Sequence, residues 1–420
     1  MRRNDELIYV NAQKPAPDRF GAGFNISANA KGNAAMKCHV KCALLGVALL
    51  AAQSASAFSK PPDIAAEYAT TYNMNPAHTG AVDFSEAFAP PFKMLWDKSF
   101  DVEAGYPLIA EGNVYVVTGE VDLFAYDLAT GTQQFEHLLS VWNNEGAYDA
   151  GQLFYVNEDG LLVALDAKKG KPQWSVQLPH QSSFDAAPIA VNGRVYITGG
   201  GGGGDLYSVD EGTGHIAWDV SGLMTGGIGS PAFGNNGVYY DAGCQFYAFQ
   251  ATTGKALWFD GSLCSSSPST TAYFAKKVYM ITTQGNDVLR AKTGEQIGSF
   301  PGDFSPSIFK EGKRSFMLSV DNNETVATVY CTSLGSGNVA WKFDTPNIVW
   351  TPPVYAKGYV LVGDFDGNVH VLNAKTGVQV WTTKLSHPVF YIAAGQGAFV
   401  VSASDELSPN HSEVAAFAPQ

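Results

Sequence analysis

Charge is scarce in this 420-residue chain: only 15% of its residues are Asp, Glu, Lys or Arg. Basic charge is the scarcer sign, with 26 Lys and Arg against 39 Asp and Glu. The resulting net charge of −13 repels nucleic acid and anionic lipid, so neither is an expected partner. No apolar run reaches about 18 residues, so no membrane span is expected. Cysteine is rare, five in all, and no pair has the C-x-x-C spacing of a metal or redox site. A helical apolar period is missing too.

Glycine and aromatic residues are plentiful: 44 Gly, and 12% Phe, Trp and Tyr. Low charge, many glycines and many aromatics fit an all-β chain rich in tight turns. A length of 420 residues implies two or three cores unless the architecture is a ring or solenoid. The N-terminus stands apart. Residues 1–35 are polar and aperiodic and read as a leader or a mis-assigned start, with Met36 the expected true start. Residues 36–57 have the order of a secretory signal peptide: a basic stretch, the apolar run Cys42 to Ala52, and Ser54-Ala55-Ser56-Ala57 with cleavage expected near Ala57. A secreted or periplasmic chain follows from that reading. Residues 58–90 form a lead-in segment, and residues 91–420 carry the repeats.

One phrase recurs seven times: a short apolar strand, Asp or a similar residue, Thr-Gly, then an aromatic. It reads AYDLATGTQQF at 125–135, ALDAKKGKPQW at 164–174, AFQATTGKALW at 248–258 and VLNAKTGVQVW at 371–381. The turn glycines Gly131, Gly170, Gly214, Gly254, Gly294, Gly337 and Gly377 are 39, 44, 40, 40, 43 and 40 residues apart. About forty residues suits four short strands per unit. Four residues past the glycine stand Trp174, Trp218, Trp258, Trp341 and Trp381, replaced by Phe135 in the first unit and Gly298 in the fifth. Such an aromatic in each outer strand is expected to dock on the neighbouring unit, and cutting one to Ala is expected to cost about 3–5 kcal/mol.

This pattern resembles the PQQ-like (pyrroloquinoline-quinone repeat) β-propeller family, whose repeat is A-x-D-x-x-T-G-x-x-x-W. Asn75-Pro76-Ala77-His78-Thr79-Gly80 is similar to the family's lead-in. The expected fold is an all-β, eight-bladed β-propeller of four-stranded antiparallel blades. Seven phrases make eight blades because residues 389–420 supply three strands without a Trp, while residues 91–97 supply a lone outer strand with Trp96. The N-terminal strand is therefore expected to close the last blade and hide its edges.

The Thr-Gly turns are uniform and read as scaffold, whereas the connections from each outer strand to the next inner strand vary and read as the functional face. Their candidate ligand-binding residues are Trp142, Asn144, Glu145, Phe184, Asp185, Asp303, Trp350, His387 and Phe390. Trp142 and Trp350 lead, being the two Trp that the repeat leaves unexplained. Cys244 and Cys264 fall on that same face and form a disulfide candidate, worth about 3 kcal/mol for a loop of that size. Asn323 and Asn410 begin glycosylation sequons. The six glycines at 199–204 lack the Lys and helix of a phosphate loop. The Asp-rich turn at 364–368 reads as an ordinary hairpin turn.

The resemblance brings quinoprotein dehydrogenases into view, which hold PQQ over a Trp beneath two adjacent Cys, with calcium on Glu and Asn. This chain has no adjacent Cys pair after residue 57, so no catalytic, cofactor-binding or metal-ligating residue is assigned. PQQ with calcium stays an alternative. The leading expectation is a monomeric, non-enzymatic binding scaffold for a protein or a small-molecule or glycan ligand. A quinoprotein oxidoreductase is the first alternative and a carbohydrate-directed lectin or hydrolase the second, since one fold hosts many functions.

Overall fold

The computed structural model of the protein describes residues 67–420, except 120, 140–144, 202, 224–228, 243–244, 262–269, 283–284, 324 and 406–410. The leader and signal-peptide readings, together with Trp142, Asn144, Cys244, Cys264 and Asn410, lie outside the described residues.

Eight sheets make the ring, and no α-helix occurs among the described residues. Blade 1 is built from Leu108–Ala110, Asn113–Thr118, Asp122–Asp127 and Gln133–Leu138, here lettered strands A to D from the channel outward. Blades 2 to 7 repeat this order at 146–177, 189–223, 232–260, 272–300, 307–345 and 354–384. Blade 8 takes strands A to C from Val389–Gly395, Ala398–Ser404 and Ser412–Pro419, and its strand D from Phe92–Phe100. The closing strand lies antiparallel to the last one, with Trp96 opposite Ala416. The two ends of the chain thus complete one sheet, as the lone Trp strand implies.

Local sequence explains the two kinds of strand. The B strands are covered on both faces by adjoining blades and read as continuous apolar runs, such as Tyr359–Gly363. The D strands face solvent on one side and alternate, as in Gln379–Lys384. Apolar cores sit between neighbouring blades rather than at one centre.

The repeated phrase makes one hairpin turn and one seam. In DLATG, the Asp127 carboxylate accepts the N–H groups of Ala129 and Thr130, and its carbonyl accepts Gly131 N–H at 2.8 Å. The turn glycines all lie at φ between 62° and 73°, a region where a Cβ is strained. They have a second duty that spacing alone does not reveal. A Cβ at Gly131, Gly214, Gly254, Gly294 or Gly377 would stand 2.5–2.8 Å from the Trp ring of the preceding blade. The same rings donate: Nε1 of Trp96, Trp174, Trp218, Trp258 and Trp341 reaches the carbonyls of Leu128, Glu211, Ala251, Ala291 and Ala374 at 2.7–2.9 Å. Trp381, facing the turnless blade 8, packs instead among Phe92, Phe399 and Phe417.

Candidate functional site

The lead-in decides what the channel can be. From Glu67 to Gly80 it runs round the inside of the ring, bonding to the A-strand region of each blade in turn. Glu67 O accepts from Gln396 N–H of blade 8, Ala69 pairs with Ile109 of blade 1, and Thr70 O accepts Tyr148 N–H of blade 2. Thr71 Oγ1 donates to Pro188 O beside blade 3 at 2.7 Å. The carbonyls of Pro76, Ala77, Thr79 and Gly80 then accept Phe233, Tyr273, Ile308 and Tyr355 N–H at 2.6–2.9 Å. Ala81–Val82 finish as a parallel strand on Val354–Ala356.

His78 fastens this spiral. Its fully buried ring contacts Tyr72 O through Nδ1 at 2.7 Å, and Pro231 O and Ser230 Oγ through Nε2 at 3.0 Å each. Burial pushes the ring down to about 4, against the pull of the two carbonyls, so it is neutral at pH 7.

Above the spiral a cup of about 320 Å³ opens on the face of the D-to-A connections. Glu145, Asp185, Ala186, Ala187, Ser230, Thr270, Trp350, Phe390 and Tyr391 line it from six connections, with Tyr72 of the lead-in. This size is that of small-ligand sites. Trp350 is 43% exposed, stacks on Phe365 at 5.5 Å and meets Phe390 edge-on at 5.8 Å. Tyr72, Tyr106 and Tyr391 form a cluster of edge-to-face rings 5.4–6.5 Å apart. Burial pushes all three phenols up, and Glu145 adds to the rise, so they stay neutral donors. Burial also pushes the Glu145 carboxyl up to about 7, although Ala187 N–H bonds to it and draws it down. Asp185 is exposed and accepts from Ser183 Oγ at 2.7 Å.

Of the residues singled out by sequence, the structure thus brings Glu145, Asp185, Trp350 and Phe390 to one cup. Phe184 goes elsewhere: it is buried against Tyr207 in the seam between blades 2 and 3, over Gly160 and Gly199. Asp303 ties its connection to Asn322 N–H at 2.7 Å, and His387 packs its backbone against Gly367; neither lines the cup. Asn323 lies in the B–C hairpin of blade 6, where its N–H donates to Val326 O. Cys331 is buried and forms no disulfide, and burial pushes its thiol up to about 12. Asp364 is filled by Asp366 and Asn368 N–H, the Asn368 amide and His370 Nε2, which makes the 364–368 turn structural. Burial would raise its carboxyl, but these bonds outweigh burial and hold it below its ordinary value.

Tyr72, Ser230, Thr270 and Tyr391 were not foreseen. Tyr72 arrives through backbone bonds of the lead-in, which leave no side-chain signature. Tyr391 does follow Phe390 at the start of the last A strand, so that pair of aromatics is a signal in the sequence.

A closed ring of eight four-stranded blades with an indole in most seams defines a β-propeller of the PQQ-repeat type. A family model described as outer membrane protein assembly factor BamB, built on PQQ repeats, matches residues 87–191, 179–301 and 325–417. The chain belongs to this PQQ-repeat propeller family. It is 23% identical over 300 residues to the outer membrane protein assembly factor BamB of Shewanella oneidensis, covering 64% of this chain and 74% of that one. It is 33% identical over 154 residues to the dehydrogenase subunit of a quinone alcohol dehydrogenase of Gluconobacter oxydans. That match takes 30% of this chain and spans about a fifth of the length of the relative. Among solved structures, a europium-containing methanol dehydrogenase superposes with a TM-score of 0.69 at 15% identity, over 84% of this chain and 98% of that one. BamB of Moraxella catarrhalis gives 0.60 at 16%, over 78% and 98%. At these identities the structural likeness shows the fold alone.

Pyrroloquinoline quinone is a planar tricarboxylate. The described lining offers the carboxylates of Glu145 and Asp185 and no basic side chain, and no group of three His, Cys, Asp or Glu that could hold a metal occurs among the described residues. The donor set of the cup does not fit that anion.

Proposed function

We propose that the protein is a secreted or periplasmic binding scaffold without catalytic chemistry of its own, which takes its partner at the cup on the D-to-A face. The carrying observation is Trp350: a large ring 43% exposed at a cup whose other side is closed by the lead-in. Exposed aromatics at the rim of a concave site are typical anchors for partners. The family match and the likeness to an assembly factor along 64% of the chain support this reading. A photo-crosslinking residue at position 350 is expected to give adducts of defined mass in cells secreting the protein. The same residue at Val378, on the outer rim, is expected to give none.

A quinoprotein oxidoreductase is the second reading, favoured by the identity to quinone alcohol dehydrogenase subunits. Reconstitution with PQQ and calcium, followed by dye reduction on alcohols and sugars, separates the two. Turnover of the dye would overturn the scaffold reading.

A further inference from the structure

One outer strand of the eight, Gln296–Phe300 of blade 5, differs from the rest on two independent counts. Every blade ends in an outer strand whose far edge pairs with no other strand among the described residues. Seven of these strands carry a charged residue or a proline, from Pro172 in blade 2 to Lys384 in blade 7, which deters a foreign strand from pairing there. QIGSF carries neither, and its Gln296, Ile297, Gly298 and Ser299 are all exposed. The second count is the seam. In blades 1 to 4 an aromatic of strand B packs on the aromatic of strand D: Tyr115 on Phe135, Phe154 on Trp174, Tyr196 on Trp218 and Tyr239 on Trp258, with ring centroids 5.9–6.3 Å apart. Blade 5 keeps the inner member, Tyr279, and has Gly298 in the outer place. The bed that elsewhere carries a ring stays open: a Cβ at Gly298 or Gly337 would meet nothing within 4 Å. The Tyr279 hydroxyl is buried and has no hydrogen-bond partner among the described residues.

We propose that the outer edge of blade 5 takes an extended segment of another protein, which pairs along Gln296–Phe300 and lays a tryptophan across Gly298 into the seam. The surface is on the rim and does not depend on the cup. Main-chain hydrogen bonds give such strand addition its affinity, and side-chain pockets give it specificity. An aromatic on one strand covers a glycine opposite it on the next. Tryptophan is the ring that suits the bed. At five other seams its Nε1 donates to the carbonyl three residues before the turn glycine, and Leu334 O holds that position before Gly337. A second copy of this chain does not supply the ring, because the same edge brings Gly298 again, with Phe300 buried. Charge says more about the segment. The chain is acidic as a whole, yet the turns at the Thr-Gly end of blades 4 to 6 expose Lys255, Lys276, Lys292, Lys313 and Arg314. Glu295 and Glu311 are the carboxylates of those turns, and Glu295 is paired with Arg290 at 3.0 Å. A segment with carboxylates at the end beside Lys292 complements this charge.

Fluorescence polarisation on the whole protein tests this with a labelled, end-capped peptide of alternating Thr and Val that has Trp at its centre and Glu-Asp at one end. It is made with the Glu-Asp at either end, to allow both directions of pairing. Saturable binding of one version is the expected result. Replacing the peptide Trp by Ala is expected to raise Kd about tenfold or more. Replacing its Glu-Asp by Lys-Lys is expected to raise Kd about threefold or more at low salt. Gly298→Trp fills the bed from the protein's own strand and is expected to abolish binding. Ser299→Lys puts a charge on the exposed edge without touching the bed and is expected to weaken binding about threefold or more. Failure of both versions to bind, equal affinity of the Trp and Ala peptides, or undiminished binding to Ser299→Lys would overturn the proposal. A dimer seen by sedimentation without peptide, and lost in Ser299→Lys, would assign the edge to a second copy and overturn the partner segment.

Discussion

The fifth seam offers the sharpest test of how the ring is held together. Val288 pairs with Gly298 in the register where Ala248 pairs with Trp258 and Cys331 with Trp341. The ring that should lie between blades 5 and 6 is therefore missing. Its absence shows on both sides: an added Cβ at Gly298 or at Gly337 would meet nothing within 4 Å, and Gly337 is the one exposed turn glycine of the seven. Nearby, the buried Tyr279 hydroxyl has no hydrogen-bond partner among the described residues, whereas the equivalent Tyr115 bonds to Ala167 O at 3.0 Å. Gly298→Trp should refill the seam. An indole half-buried like Trp174 removes about 100 Å² of apolar surface from water, worth about 2.5 kcal/mol. A bond from its N–H to Leu334 O adds about 1 kcal/mol, and freezing the side chain costs about 1 kcal/mol. The net gain is about 2.5 kcal/mol, or about 4 °C in Tm if the ring melts as one unit. Gly337→Ala alone is expected to cost about 1 kcal/mol through its positive φ of 72°. With Trp at 298, the new methyl would meet the indole as in the five seams above, and the gain from the Trp should vanish. Calorimetry and urea unfolding of the four proteins in this cycle should give a coupling of about 2.5 kcal/mol. Additive effects, or a Tm lowered by Gly298→Trp alone, would refute the account of the seams.

Two further predictions concern pH. His78, held neutral at about 4, refuses a proton that the unfolded chain takes near 6.5; stability should fall by about 3 kcal/mol as pH drops across that window, and His78→Gln should flatten the slope in urea titrations. Glu211 is buried beside Asp149, and burial followed by the Asp149 charge pushes it up to about 9. The folded state keeps a proton that the unfolded chain releases near 4.5, so stability should decline as pH rises from there to about 9. Glu211→Gln should remove that decline; an unchanged slope would exclude the pair as its source.

The scaffold was legible because each of its devices is written twice. A turn needing positive φ and a ring needing a flat bed both ask for Gly131, and a seam needing a donor and an apolar plate asks for Trp174. Closure was legible for the same reason: Trp96 had no unit of its own, and the last three strands had no Trp. Phe184 shows the limit. As an aromatic in a variable connection it reads like Trp350, yet Gly160 and Gly199 open a bed for it in the seam. The glycines on other strands, rather than the residue itself, hold that information.

The cup was half legible, and the missing half has a physical origin. Side chains on the connections vary from blade to blade, which drew attention to Glu145, Asp185, Trp350 and Phe390. The floor is set by carbonyls of the lead-in meeting N–H groups of the A strands, bonds that any residue except proline can donate. Only His78 and Gly80 mark that path in the sequence. The His78 ring packs between the Tyr72 and Pro231 carbonyls and the Ser230 hydroxyl, and a Cβ at Gly80 would collide with Ser307. A ring with eight inner strands presents eight sets of N–H groups to its channel, and those left unpaired there would be costly. A segment that spirals past all eight satisfies many of them and closes one end of the channel. The depth of the cup, and the burial that holds Glu145 near neutrality, are thus consequences of backbone hydrogen bonding. The identity of what binds is left to the few side chains above it.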